Sequence, residues 1–432
     1  MKKIIIIGGG LSGLSTAVYL IDKGFKVEIL EASPKLGGRT YSFNFKESDT
    51  VIDNGQHLLM GCYGHTLDYI DKIGSKDNFH FQDSLNINYV TADSKICPLS
   101  VPKTVYPFNF LFSFLNFKLL TFNERKEVLK FLFRINAIQK KNRNDISVKD
   151  LLEQNGQSES TVAKFWNLVV ISAMNTPIDI ASAKLFIDII KIIFFSGKGS
   201  SNIILPKVGL SEALINPAEK FVLNRGGEVS YSERILKFEF NSNMLTKIVT
   251  SERIIEDFDY VVSAIPADNL LKIIPDDSKI RISVPTFEYS PILSVNLWLS
   301  ENPLKEKFYG MIGGSFHWLF NKGEYISLIK STATDMINLN KNELIKLATM
   351  ELNKFFSILT NKDILQAKII KERKATIISD SNSVKLRNEF VNCYNNFLIA
   401  GDWINTGLPG TIESSIKSGK MVVDIILSQS KK

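Results

Sequence analysis

Residues 3–13 read KIIIIGGGLSG, an apolar run that breaks into three consecutive glycines. Four Ile in succession suit a parallel strand buried on both faces, which has no need to alternate. Gly8, Gly10 and Gly13 fall at GxGxxG spacing. Leu14, Ala17, Val18 and Ile21 then recur on one helical face until Gly24 stops the helix. A second strand, KVEIL, delivers Glu31 about 20 residues beyond the glycines. Each part has a physical task. Gly8 makes the tight turn, Gly10 lets backbone approach a pyrophosphate, and Gly13 lets helix and strand pack closely. The first helical turn, with Leu11 and Ser12, puts the positive end of the helix at the phosphates. Glu31 is placed to accept hydrogen bonds from ribose hydroxyls. The spacing therefore predicts a β–α–β dinucleotide cradle and an α/β fold class with a Rossmann-type domain.

The next stretch, EASPKLGGRT, carries Ala32, Gly37, Gly38, Arg39 and Thr40. From residue 4 to 40 the chain resembles the amine oxidase and carotenoid desaturase superfamily, whose FAD domain is of the glutathione-reductase type. The resemblance implies FAD, with Arg39 and its flanking glycines near the pyrophosphate. Such domains are discontinuous in sequence. IILPKVGLSEAL (203–214) resembles the PxGGL segment that re-enters them, with Val208 in place of the first Gly of that pair. FDYVVSAIP (258–266) resembles the strand before the chain leaves again. NFLIAGDW (396–403) ends in Gly401–Asp402, and a helix follows from Thr411 and Ile412. The resemblance gives Asp402 to the FAD backbone and aims that helix at the flavin pyrimidine edge. The expected organisation is an FAD-binding domain from residues 1–76, 203–280 and 393–432. A mixed helical and sheet substrate domain takes 77–202 and 281–392.

Composition narrows the class of partner. The 432 residues are 44% apolar and 22% charged, with 29 Phe and a formal net charge of +7. No Lys/Arg block of nucleic-acid type occurs, so a nucleic-acid partner is not expected. Cys62, Cys97 and Cys393 lie far apart and form neither CxxC nor metal spacing, which reads as free thiols in a reducing compartment. No uncharged apolar stretch reaches the roughly 18 residues a spanning helix needs. The grease is concentrated in 77–202, read as helical. VYPFNFLFSFLNFKLLTFNERKEVLKFLFRIN (105–136) and KLFIDIIKIIFFSG (184–197) are dense in Phe, Leu and Ile. They read either as buried core helices or as a lipid-facing or tunnel-lining pair, with Lys118, Arg125, Lys126 and Lys130 suited to an anionic surface. Further on, SPILSVNLWLS alternates and reads as a half-buried strand.

IDNGQHLLMG (52–61) places Asp53, Gly55, Gln56 and His57 just before an apolar run, read as a turn entering a helix. Taken with MNTPIDIASA (174–183), FHWLFNK, ERKATI (372–377) and TGLPGTIESSIKSG, this stretch resembles the squalene-associated FAD-dependent desaturase family, the hydroxysqualene dehydroxylases, over essentially the whole chain. His317 departs from the pattern, where Gln is expected before Trp318. The resemblance implies reductive loss of an allylic-type hydroxyl from a C30 isoprenoid, with hydride from FAD and an electron donor that the sequence does not identify. It also implies a cytoplasmic protein, peripheral on the inner face of the cytoplasmic membrane. A general acid should help the hydroxyl leave. Asp53, Gln56 and His57 are the catalytic candidates, and His57 could either move a proton or simply hold the flavin. An oxidative carotenoid-type desaturase shares every cofactor motif. A prenyl-binding chaperone shares the fold but not the need for an intact cofactor set.

Overall fold

The computed structural model describes residues 1–106, 108–141, 144–276, 278–356, 363–392 and 394–430. In chain order, the elements that place the site begin with β1 (Lys3–Ile7), α1 (Leu11–Ile21), β2 (Lys26–Leu30), β3 (Leu59–Met60) and α2 (Gly64–Lys72). Next come α3 (Phe108–Asn116), α4 (Phe122–Lys141) and α5 (Ala183–Phe195). Then follow β4 (Tyr289–Leu299), β5 (Trp318–Asn321), β6 (Ile364–Ile377) and α6 (Ile412–Ser430).

β1 is the middle of a five-stranded sheet ordered Glu228–Ser230, β2, β1, Tyr260–Ser263, Phe397–Ile399, with every pairing parallel. Strands from three distant stretches thus close one Rossmann-type sheet. The Ile run works as a doubly buried strand should: Ile4 and Ile6 pack into the cluster with α1 and α6, and Ile5 and Ile7 pack into the cluster on the opposite face. The sequence assigns α1 a single apolar face, but all eleven of its residues are buried. The sheet covers one side and α6 the other. The two helices touch through Ser12, Ser15, Thr16 and Gly419. A Cβ at Gly419 would lie 2.2 Å from Ser15 Oγ and 2.6 Å from the Ser12 carbonyl oxygen. Such an addition has no room to relax in a packed interior.

A seven-stranded sheet forms the second layer, ordered β6, β4, Ile326–Ser331, β5, Phe308–Ile312, Asn86–Thr91, Ile96–Ser100. Here the helical reading of 77–202 holds from Phe108 onward but fails over its first part. Residues Phe79–Phe81, Asn86–Thr91 and Ile96–Ser100 are strands. The short alternating segments INYVT and ICPLS favour an extended chain once a sheet edge is available to pair with. β4 also departs from expectation, being buried on both faces rather than one. Leu293, Val295 and Leu297 face the cluster that includes Leu344, Ala348 and Leu352 of helix Lys341–Phe356, while Trp298 is covered by Phe45 and Ile52. A third, small antiparallel sheet of β3, Ile203–Pro206 and Phe79–Phe81 ties the two layers together. The run after His57 is therefore a strand, and helix α2 starts only at Gly64.

The two greasy segments separate in the fold. α5 is a core helix, capped by the Ser182 side chain on Leu185 N–H, with Phe186, Ile187 and Ile190 fully buried. α3 buries Phe114 but leaves Phe108, Phe112 and Leu115 exposed at 61%, 47% and 39% on one face. Cys62 and Cys97 are free thiols, and Cys393 lies outside the described residues. No helix among the described residues is long and apolar enough to cross a membrane.

Candidate functional site

The turn from β1 to α1 opens onto a cavity of about 580 Å³. Gly8, Gly10, Leu11 and Ser12 line it from that turn, and Glu31 and Ala32 from the end of β2. Gly37, Gly38, Arg39 and Thr40 form its next wall, and Gly401 and Asp402 close it. Gly13 does not line the cavity; it packs beneath, where a Cβ would lie 1.9 Å from the Gly8 carbonyl oxygen. No side chain caps α1, so the N–H groups of its first turn are left for a ligand. At Gly10 the nearest protein atom to a built Cβ is Gly38 Cα at 3.9 Å, so the space in front of the turn is free of protein. Glu31 does more than the sequence suggests. Oε2 accepts from Gly9 N–H at 2.7 Å, and Oε1 accepts from the N–H and hydroxyl of Ser33 at 2.8 and 2.9 Å. The acid braces the glycine loop and keeps a lone pair on Oε2 for a ribose hydroxyl. Donor end, acid and open cradle together fit a dinucleotide.

Arg39, Thr40, Asp402 and Ser415 also line a second cavity of about 250 Å³, which we term the chamber. Arg39 Nη2 pairs with Asp402 Oδ2 at 2.7 Å and Nη1 donates to the Ala375 carbonyl at 2.9 Å. This pair joins two ends of the chain 363 residues apart in sequence. The Asp402 carboxylate holds the Arg39 guanidinium above its ordinary pKa. Gly55, Thr411 and Ile412 are walls of the chamber, with Gln56 and His57 beside them.

Of the catalytic candidates, Asp53 is placed away from the chamber wall. It is buried at the end of strand Thr50–Asp53 and does not line the chamber. Its Oδ1 accepts from Ser42 Oγ at 2.7 Å and Leu210 N–H at 2.8 Å, and Lys322 Nζ is 3.9 Å from Oδ2. The carboxylate is spent on bracing a hairpin to the 203–215 segment. Gln56 bonds the Tyr325 hydroxyl. Burial pushes the His57 pKa below its ordinary value, so the ring is neutral at neutral pH. Nδ1 is 2.9 Å from the Gly55 carbonyl oxygen, which can only accept, so Nδ1 carries the proton and Nε2 is an acceptor. In that state His57 can orient a hydroxyl or take a proton, but Nε2 has none to give.

Several chamber residues are absent from the sequence-based set. Asn175, at a left-handed helix end, donates to Thr376 Oγ1 at 2.9 Å and accepts Thr332 N–H at 2.8 Å, holding three elements together. Glu372 accepts from Asn54 Nδ2 at 3.1 Å. Both fall inside MNTPIDIASA and ERKATI, so those motifs were the available signal. Glu233 and Arg234 of the cradle had none, because they come from an unremarkable turn.

A third cavity, about 410 Å³, runs from the chamber and is mostly apolar, with His65, Glu413 and Lys417 also on its wall. It shares Leu58, Tyr63, Ser172, Ala173 and Trp318 with the chamber. Beyond them it passes Phe165, Leu168, Val169 and four α5 residues: Ile189, Ile192, Ile193 and Phe194. The α5 side chains thus give the tunnel-lining reading to one greasy segment, while α3 covers Phe194 from outside through Phe110 and Phe114.

A family model described as flavin containing amine oxidoreductase matches residues 11–427. A hydroxysqualene dehydroxylase of Zymomonas mobilis is 26% identical over 98% of this chain and 99% of its own length. A 15-cis-phytoene desaturase of Glycine max is 24% identical over 99% of this chain and 80% of its own length. Among solved structures, an oxidoreductase from Methanosarcina mazei superposes with a TM-score of 0.75, covering 98% of this chain and 100% of that one at 16% identity.

Proposed function

The chain belongs to the flavin containing amine oxidoreductase family, and from that premise we propose that it binds FAD and reductively dehydroxylates hydroxysqualene to squalene. The observation that carries the substrate class is the apolar tunnel that shares its walls with the chamber beside the dinucleotide cradle. A lipophilic isoprenoid fits it. The full-length similarity to relatives named hydroxysqualene dehydroxylase supports the choice of reaction.

In this reading the glycine turn and Glu31 hold the adenosine and pyrophosphate. Arg39 and Asp402 would hold the middle of the cofactor, and Gly55, Thr411 and Ile412 would line the space for its ring. When bound and reduced, FAD supplies the hydride. The protein's share is to seat the carbinol carbon in the chamber, orient it, and keep water out. The hydroxyl leaves with its bonding electrons and one proton taken up from solvent, as water. The cation it leaves survives only where the walls are dry, and Leu58, Ile171, Ile292 and Trp318 provide such walls. His57, as an acceptor at Nε2, orients a hydroxyl or water there. The outer face of α3, Phe108, Phe112 and Leu115, fits a lipid surface from which such a substrate is drawn.

The test is anaerobic incubation of chemically reduced holoprotein with hydroxysqualene, reading squalene by gas chromatography. Squalene in proportion to enzyme-bound flavin is the expected result. No squalene, together with new double bonds in phytoene under oxidising conditions, would replace this reading with that of a desaturase.

A further inference from the structure

Tyr63 belongs to the walls of both the chamber and the apolar tunnel. It stands at the junction by construction, since β3 ends at Met60 and α2 begins at Gly64. The other polar side chains shared by the two walls already hold hydrogen bonds. Ser172 Oγ donates to the Leu168 carbonyl at 2.6 Å and accepts Trp318 Nε1–H at 2.8 Å. Thr411 Oγ1 accepts Ser414 N–H at 3.2 Å in the first turn of α6. The Tyr63 hydroxyl, by contrast, has no hydrogen-bond partner among the described residues. The residue is mostly withdrawn from solvent and lines both cavities. Burial pushes its pKa up, which keeps it a neutral O–H donor at every physiological pH.

A phenol withdrawn from water without a partner costs stability, and a ligand that brings an oxygen recovers it. We propose that Tyr63 is the specificity-determining contact for the substrate's hydroxyl, donating a hydrogen bond to that oxygen at the boundary between tunnel and chamber. The inference rests on the isoprenoid-alcohol reading above and deepens it. It supplies a register: one hydrocarbon arm fills the tunnel, and the one oxygen of the substrate stops at Tyr63. It also supplies a direction to the cycle. The product has no oxygen, so it leaves Tyr63 unpaired and is held less tightly than the alcohol. Sites built around a substrate hydroxyl reject the analogue that lacks it for the same reason.

Tyr63→Phe removes one oxygen and keeps the ring. The oxidised holoprotein has no hydride to transfer, so binding can be read without turnover. Tritiated hydroxysqualene and squalene are partitioned between detergent micelles and each protein, with flavin content and thermal midpoint confirming an unchanged fold. The expected result is that the parent binds the alcohol about tenfold more tightly than the hydrocarbon, as one hydrogen bond allows. In Tyr63→Phe that preference disappears while squalene binding stays the same. An alcohol preference that survives in Tyr63→Phe overturns the assignment. Equal binding of both ligands by the parent also overturns it, and leaves the isoprenoid reading standing. Binding of neither ligand by the parent removes the substrate reading, and this contact with it.

Discussion

His317 immediately precedes β5, and its Nδ1 accepts the Ser331 N–H at 3.2 Å. Burial pushes its pKa down to about 4 from an ordinary 6.5. Between those values the unfolded chain takes up a proton that the folded chain refuses. The contribution to stability is therefore whole above pH 6.5 and is lost as pH falls towards 4, by up to about 1.4 kcal/mol per pH unit. His57 acts in the same direction, since burial lowers its pKa too. We expect the urea midpoint of the parent to fall between pH 7 and pH 5, and His317→Asn to flatten that fall. Parallel pH profiles for the two proteins would remove His317 as the source. The residue marked in the sequence as a departure from family pattern thus ties together the ends of two central strands of the sheet and does not line the chamber. Asp53 is a similar case. Residue type and proximity to the glycine motif nominate it, but only the backbone path shows its carboxylate turned onto Ser42 and Leu210.

At the scale of elements, α3 is the informative one. Its sequence, FNFLFSFLN, is apolar enough for a core helix, and a core helix would be buried all round. Instead Phe110 and Phe114 pack against Phe194, while Phe108, Phe112 and Leu115 recur at helical spacing on the open side. Lys126 Nζ lies 4.3 Å from the Phe122 ring centroid at the start of α4, close in sequence to that face. Inserting three such side chains into a bilayer interface gains several kcal/mol, roughly 1.5–3 for each full burial. The double substitution Phe108→Ser/Phe112→Ser should therefore lower co-sedimentation with phosphatidylglycerol-containing vesicles by tenfold or more. It should leave the thermal midpoint within a degree or two, because neither ring is packed in the core. Undiminished co-sedimentation would move membrane contact to another surface. The companion segment, α5, shows why sequence alone left the two readings open. Both helices are greasy, and which one is covered depends on what the sheets place beside it.

At the scale of the molecule, three cavities in series join cradle, chamber and tunnel, and the series sets a length limit on the substrate. Val169 is on the tunnel wall beyond the chamber. Val169→Trp should raise KM for a C30 alcohol at least tenfold while sparing turnover of a short isoprenol that never reaches it. Equal effects on both alcohols would place the long chain elsewhere. Much of this arrangement was legible in the sequence. KIIIIGGGLSG, Glu31 and GGR prescribe the cradle because strand, turn and helix there are local, and glycine spacing records close approaches directly. Gly401–Asp402 was legible as a motif, but its bond to Arg39 was not, since nothing local links residues 39 and 402. The same limit explains the strands at 79–100, which are extended because Phe308–Ile312 is present to pair with Asn86–Thr91 and Ile203–Pro206 to pair with Phe79–Phe81. Nor could sequence order show that Tyr63, Ser172 and Trp318 meet at one junction. By itself the sequence determined the cofactor class, the fold and the greasy character of the substrate half, all properties of short-range pattern. The tertiary structure alone decided which candidates face the chamber, which helix lines the tunnel and which is left bare, because those depend on contacts between residues far apart in the chain.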